Sequence, residues 1–312
     1  MSGQPMRGHE RWRMEYRKRR YMEHLNDADL ALRLRDVMKN SLTLTKNGQI
    51  GLLNEPLTWL ELFTHVHEEY GLRGGVPPGV MNDFTPPTPT HPGVPPGMAA
   101  FERASTLTSP YLVKYGQAAH IKAMYERGVI RVSPASSYDD PSLDPARRDN
   151  ELSVVYEVHP KEAELRVQKP DGTPGEEIDL VGNLRLEYSF PEGYDYYVFC
   201  MSSGVDLRLF GDFQSDACLL ILDPEQFFER LMKAFEVAIK GWTGIGLPVR
   251  YVDPLNPPRG NPDPALVKHF RYWYQKEHRL VWIPKIGTPL TKLAPITLEV
   301  GPLHDIAELL LA

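Results

Sequence analysis

Cysteine is nearly absent. The 312 residues hold two, Cys200 and Cys218, too few for a disulfide scaffold and without the spacing of a zinc site. Each stands in an apolar run (YYVFCM, DACLLIL), where a thiol reads as a small buried hydrophobe on a strand. Long hydrophobic runs are missing too. No segment reaches about eighteen consecutive apolar residues, and the opening MSGQPMRGHERWRMEYRKRRYMEHL is basic without an apolar h-region, so a cytoplasmic protein with no membrane association is expected. A basic excess is lacking: net charge is −6 and the pI about 6.0, which excludes a global field for non-specific nucleic-acid binding and leaves only local contacts. No Gly-rich dinucleotide or phosphate-loop fingerprint occurs, since GIGLP lacks a third glycine and a following helix. No acidic spacing repeats a known cation loop, so no metal site is expected, and spacing alone identifies no Ser-His-Asp or Cys-His constellation.

What is present divides by composition. With 42 % hydrophobic residues the chain can bury one full-sized core and carry a smaller appended element. Residues 1–75 read as an N-terminal helical element. Its second helix, DADLALRLRDVMKNSL, has Asp27 or Asp29 as cap and Leu30, Leu32, Leu34, Val37 and Met38 on a broad apolar face. Its third starts near Pro56 and stops toward Gly71. Residues 76–98 hold eight prolines in 23 positions, a density that forbids a helix and marks a linker or extended arm. From residue 99 to 312 the pattern is short strands with a few separated helices, and no internal repeat is found.

The basic cluster Arg7, Arg11, Arg13, Arg17, Lys18, Arg19 and Arg20 is interleaved with Trp12 and Tyr16. It suits a solvated helix face or an acidic partner, protein or RNA, and the sequence does not choose.

In the C-terminal zone YLVKYG reads as a strand, AAHIKAMYERG as a helix stopped by Gly128, and VIRVSPAS as the next strand. SSYDDPSLDPARRDNE follows as a loop rich in turn formers. SVVYEV, LRLEYSF, YDYYVFCMS and ACLLIL read as strands. DPEQFFERLMKAFEVAIKGW reads as an amphipathic helix capped by Asp223, with Phe227, Phe228, Leu231, Phe235, Ala238 and Ile239 inward. GLPVRYV, EHRLVWI and APITLEV complete the strands. Strands in excess over separated helices indicate an α+β fold.

The order VKYGQAAHIKAMYERGVIRVSPASSYDDP, VFCMSSGVDLRLFGDF, YWYQKEHRLVW resembles a large bacterial family catalogued as a domain of unknown function. The likeness covers roughly residues 110–285. The same layout is similar to the split, antiparallel-rich sheet of ADP-ribosyltransferases, including DNA-modifying toxins. The resemblance implies NAD as substrate, transfer of ADP-ribose to a macromolecular acceptor (nucleic acid or protein), and a toxin or phage-defence setting. By it, Tyr115 stands where such enzymes carry His or Arg, and Tyr115 and Gly116 would hold NAD. Ser133 and Tyr138 would line the pocket, and Arg147 and Arg148 would cradle the phosphates. Cleaving the nicotinamide bond develops oxocarbenium charge, which a carboxylate stabilises.

Glu277 is the carboxylate the resemblance implies. If HFRYWYQKEHRLVW is a strand, Gln275, Glu277 and Arg279 share one face, placing an acceptor-orienting amide beside the catalytic carboxylate. Two other readings stay open: Glu277 and Arg279 pair with charges on a neighbouring strand of a solvent-facing sheet, so that the domain is a non-catalytic protein- or nucleic-acid-binding module, or Glu277 serves an NAD glycohydrolase.

Overall fold

The computed structural model describes residues 8–53, 56, 58–87, 97–163, 165–180, 182–257, 260, 262–286, 288 and 292–312. The centre of the Pro-rich arm, residues 88–96, lies outside them.

Helix α1 (Gly8–Arg19) ends where Arg20 takes a left-handed φ of 40°. Helix α2 (Asp27–Ser41) is capped by Asn26, whose Oδ1 accepts from Asp29 N–H at 2.9 Å. This corrects the expected cap: Asp27 and Asp29 lie in the first turn, where carboxylates favour the positive end of the helix dipole. Helix α3 (Thr58–Leu72) packs on both. A hairpin of Leu42–Leu44 with Ile50–Leu52 interrupts the expected all-helical run. Tyr16, Met22, Leu30, Leu34, Val66 and Tyr70 form the core between the three helices, whereas Leu32, expected on the apolar face of α2, is exposed and lines a surface cleft. Much of the basic cluster finds its acidic partner here. Arg13 and Arg17 reach Glu68 at 3.6 and 2.6 Å, and Arg20 reaches the fully buried Glu69 at 3.0 Å.

The principal sheet follows helix α4 (Met98–Ala104). Its strands are β1 (Leu112–Gly116), β2 (Val129–Pro134), β3 (Tyr197–Ser202), β4 (Ala217–Ile221), β5 (Trp242–Pro248), β6 (Glu277–Pro284), β7 (Ile296–Glu299) and β8 (Ala307–Leu311). The main path is β5-β6-β3-β1-β4-β8, with β2 and β7 off it, and every pairing is antiparallel. The fold is α+β with an antiparallel-rich sheet, as expected.

This sheet divides along one edge of β3. Ser202 pairs with Val113 of β1, whereas Val198 and Tyr197 pair with Ser133 and Pro134 of β2. Between them the Lys114 ammonium donates to the Cys200 carbonyl at 2.7 Å and lies 4.5 Å from the Phe199 ring centre. A backbone acceptor that loses its ladder partner at the split is thereby satisfied.

Helices α5 (Ala118–Arg127) and α7 (Pro224–Ala238) cover one sheet face. There Ile121, Met124, Phe227, Leu231 and Phe235 meet Tyr197, Phe199, Met201, Leu280 and Trp282. The alternate residues Val198, Cys200 and Val281 face a second apolar cluster with Ala135, Tyr196 and Ala265. Both faces are covered, which is why the strand sequences read as continuous apolar runs. Asp223 caps α7, accepting from Gln226 N–H at 3.0 Å. The helix stops at Ala238, which is exposed against its expected inward placement, while Ile239, already extended, packs against the core as expected.

Helix α6 (Leu207–Asp212) ties the two regions together. Arg208, 2 % exposed, pairs with Asp212 at 2.9 Å and donates to the carbonyls of Lys39 and Leu42 at the C-terminal end of α2.

Candidate functional site: a buried charge cluster beneath a polar cleft

The segment from His269 to Arg279 changes structure midway. Residues Phe270–Gln275 form a 3₁₀ helix, Lys276 turns with φ 45°, and β6 begins only at Glu277. The expected single strand is corrected: Gln275 is not a strand neighbour of Glu277. Local capping explains the helix. The His269 Nδ1 accepts from Arg271 N–H at 3.0 Å, and Asn40 of α2 accepts from Tyr274 N–H at 2.9 Å while donating to the Phe270 carbonyl at 3.0 Å. With three residues per turn, Phe270 and Trp273 share one side and Tyr272 and Gln275 another.

Glu277 and Arg279 do share a face, but a buried one. Glu277 is 5 % exposed and Arg279 fully buried. The Glu277 carboxylate lies between two cations, 2.8 Å from Lys268 Nζ and 2.5 Å from Arg279 Nε. Arg279 also reaches Glu151 at 2.5 Å and donates to the Ala265 carbonyl at 3.0 Å. Lys268 lies 3.6 Å from Glu151, 4.0 Å from Asp149 and 4.7 Å from the Tyr272 ring centre. Burial alone would raise the Glu277 carboxyl, but Arg279 and Lys268 outweigh it and hold the group well below the usual carboxylate range. Three carboxylates face two cations, and Asp149 is the surplus one. Burial first, then the Glu151 charge, push its pKa up to about 6.

Register places further residues on this face, since directly opposed residues of an antiparallel pair project to the same side. Ser202 stands opposite both Glu277 and Val113, Cys200 opposite Arg279, and Ser133 opposite Val198. Tyr115, two residues beyond Val113, belongs to the same side. Its hydroxyl accepts from Asp206 N–H at 2.9 Å and its ring meets Phe210 edge-on at 5.0 Å, so it holds the 204–206 turn. Tyr138 ends a short 3₁₀ turn and packs into the cluster that includes Val198 and Cys200. Burial and the neighbouring Cys200, Glu151 and Glu277 raise its hydroxyl above the usual range.

The structure thus gathers Tyr115, Ser133, Tyr138 and Glu277 on one sheet face. The others lie elsewhere. Gly116 ends β1, where an added Cβ would meet Ile121 at 3.1 Å. Gln275 is buried and donates to the Ala146 carbonyl at 2.6 Å, pinning the loop that follows Tyr138. Arg147 is exposed and donates to the Phe213 carbonyl. Arg148 stands 3.7 Å from Asp139, and its carbonyl accepts from the Tyr272 hydroxyl at 2.7 Å.

A cleft of about 940 Å³ opens above this loop, between α2, residues 83–86, α6 and the 3₁₀ helix. Its charged lining includes Asp36, Lys39, Arg148, Asp149, Asp212 and Arg271. Asp149 is the one member of the buried cluster that lines it. Lys39 lies 5.0 Å from the Tyr274 ring centre, and burial, then the Arg208 charge, lower its pKa. Sequence reasoning missed Lys39, Arg208 and Lys268. A lysine inside the apolar strand VKHF is the one local signal that could have found Lys268. Among the described residues no group of His, Cys, Asp and Glu is placed to hold a metal ion, and no helix is long and apolar enough to cross a membrane. Comparison with protein-family models, curated proteins and solved structures finds no match.

Proposed function

We propose that the protein is a non-catalytic binding module of α+β split-sheet architecture, holding a protein or nucleic-acid partner in the charged cleft above the 139–150 loop. The observation that carries this reading is the engagement of both Glu277 oxygens by buried cations. Each oxygen of this buried carboxylate is already held by a cation inside the protein, so it serves as a clamp between Lys268 and Arg279. Two experiments test the reading. Incubation with NAD and cell lysate should release no nicotinamide and add no ADP-ribose by mass spectrometry. Amine-reactive cross-linking in the same lysate should place partner contacts on Lys39. Glu277→Gln should lower Tm by several degrees, because breaking a buried pair costs roughly 3–5 kcal/mol.

A second reading, ADP-ribosyl transfer from NAD to a macromolecule, is favoured by Tyr115, Ser133 and Glu277 sharing one face where the sheet divides. It requires the opposite result: nicotinamide release by the wild type that falls at least about a hundredfold in Glu277→Gln, with Tm unchanged.

A further inference from the structure

A second concavity, of about 400 Å³, lies on the other side of the 3₁₀ helix and is lined by Tyr21, Trp59, Tyr251, Phe270 and Trp273 together with His65. Its size is in the range of small-ligand sites. Trp59 stacks on Phe270 at 6.0 Å and meets Trp273 edge-on at 5.2 Å. Trp273 is half-buried, whereas Arg271 and Tyr272 of the same 3₁₀ helix line the polar cleft.

Two polar atoms at this pocket have no hydrogen-bond partner among the described residues. They are Trp59 Nε1 and His65 Nε2, on side chains 4 % and 7 % exposed. The nearest acid to His65 Nε2 is Glu61 at 4.0 Å, too far for a hydrogen bond. The protonation of His65 follows from its other nitrogen. When the Tyr21 hydroxyl donates to His65 Nδ1, 3.2 Å away, Nε2 carries the ring hydrogen. Burial first, then the Arg33 charge, keep the ring neutral by lowering its pKa. The walls of the pocket therefore carry aromatic faces and two buried N–H groups without a protein partner, each costly to leave unpaired.

We infer that this aromatic pocket is a nucleobase-binding site, taking the base of a mononucleotide or of single-stranded nucleic acid against Trp273 with its acceptor atoms toward Trp59 and His65. A base supplies both requirements, a flat π surface and an edge of ring-nitrogen and carbonyl acceptors. An organic cation is disfavoured by the cations already at the aromatic walls, although Glu61 and Asp253 also line the pocket. The Arg33 guanidinium already lies 5.2 Å from the Phe270 ring centre and 5.7 Å from that of Tyr21, and Arg19 lies 5.8 Å from the latter. Arg19 also lines the pocket, at the end of basic helix α1. The inference depends on neither reading of the cleft, because none of these residues contributes to the Glu277 carboxylate contacts.

The test titrates the full-length protein with AMP, GMP, CMP, UMP and a short single-stranded RNA, read by calorimetry and tryptophan emission. Saturable binding with quenching is expected for at least one nucleotide. Trp273→Ala should weaken it about ten- to a hundredfold, the usual worth of one stacked base. Trp59→Phe keeps the stack, removes the donor and should weaken binding about tenfold; it carries the test if Trp273→Ala fails to fold. Equal affinity for nucleotide and RNA assigns a free nucleotide, and tighter, salt-sensitive RNA binding assigns single-stranded nucleic acid. Absence of saturable binding for every nucleotide at millimolar concentration overturns the inference. So does binding undiminished in both variants, or tetramethylammonium bound in preference to all nucleotides.

Discussion

Asp149 is the surplus charge of the buried cluster, and its pKa of about 6 makes it the group whose charge changes nearest to neutral pH there. A carboxyl raised in the folded state binds its proton there before the unfolded chain does, so between about pH 4 and 6 the wild type loses stability as pH rises. Above that window the cost is constant, and below it there is none. Asp149→Asn removes the charge and keeps the shape. Its Tm should exceed that of the wild type by a few degrees above pH 6, the gain shrinking through pH 6 to 4 and vanishing below. A constant difference across that range in thermal melts would show that Asp149 is not the titrating member. Glu277 has the opposite sign: its lowered pKa means stability lost as pH falls through the acid range. Gln275 anchors the loop through Ala146, so Gln275→Ala should lower Tm, and any NAD cleavage and transfer should fall together. The pairing of Glu277 with Arg279 was legible from the two-residue strand period. The cations and acids that complete the cluster come from residues 149, 151 and 268, on segments whose convergence only tertiary packing decides.

The elements that sequence read best carry their own punctuation. Asp223 with Pro224 starts α7, and Gly128 stops α5 with φ 67°. Gly128 is also pressed against the chain ahead of it. A Cβ there would lie 2.0 Å from the Gly301 carbonyl oxygen, and Val300 N–H donates to the Gly128 carbonyl at 3.0 Å. Gly128→Ala therefore combines backbone strain with a steric clash against backbone, and should cost well over about 1 kcal/mol. The measurement is urea unfolding of the variant against the wild type; a change within about 0.5 kcal/mol would mean that the 300–303 segment yields freely. The 3₁₀ helix was misread for an equally physical reason. FRYWY is a run of strand-favouring aromatics, and what overrides that preference is Asn40, more than two hundred residues away in sequence. The polar cleft was invisible for the same reason, since α2, the 139–150 loop, α6 and the 3₁₀ helix are separate stretches that meet only when folded.

At the scale of the whole molecule, composition marks a break at the Pro-rich arm, yet the helices before it share contacts with the sheet-bearing region. Arg33 makes two bonds to Asp253, at 2.8 and 2.7 Å. Val37 and Trp59 pack on Phe270, and Leu255 enters the core of the three helices. Composition senses solvent-loving or proline-rich stretches and is blind to such long-range contacts. Residues 99–312 alone would expose Phe270 and leave Asp253 without its guanidinium, while Tyr274 N–H would lose Asn40 and Arg208 the carbonyls of Lys39 and Leu42. Losing one partner of a buried charge pair costs roughly 3–5 kcal/mol, a large fraction of the 5–15 kcal/mol that ordinarily separates folded from unfolded chains. Expressed by itself, the 99–312 fragment should be insoluble, or melt far below the full chain by circular dichroism. Co-expression with residues 1–87 should restore a soluble complex, because the lost groups then return from a separate chain. A fragment that melts at the same temperature as the full protein would show that the Arg33, Asn40 and Trp59 contacts are incidental to the sheet's stability.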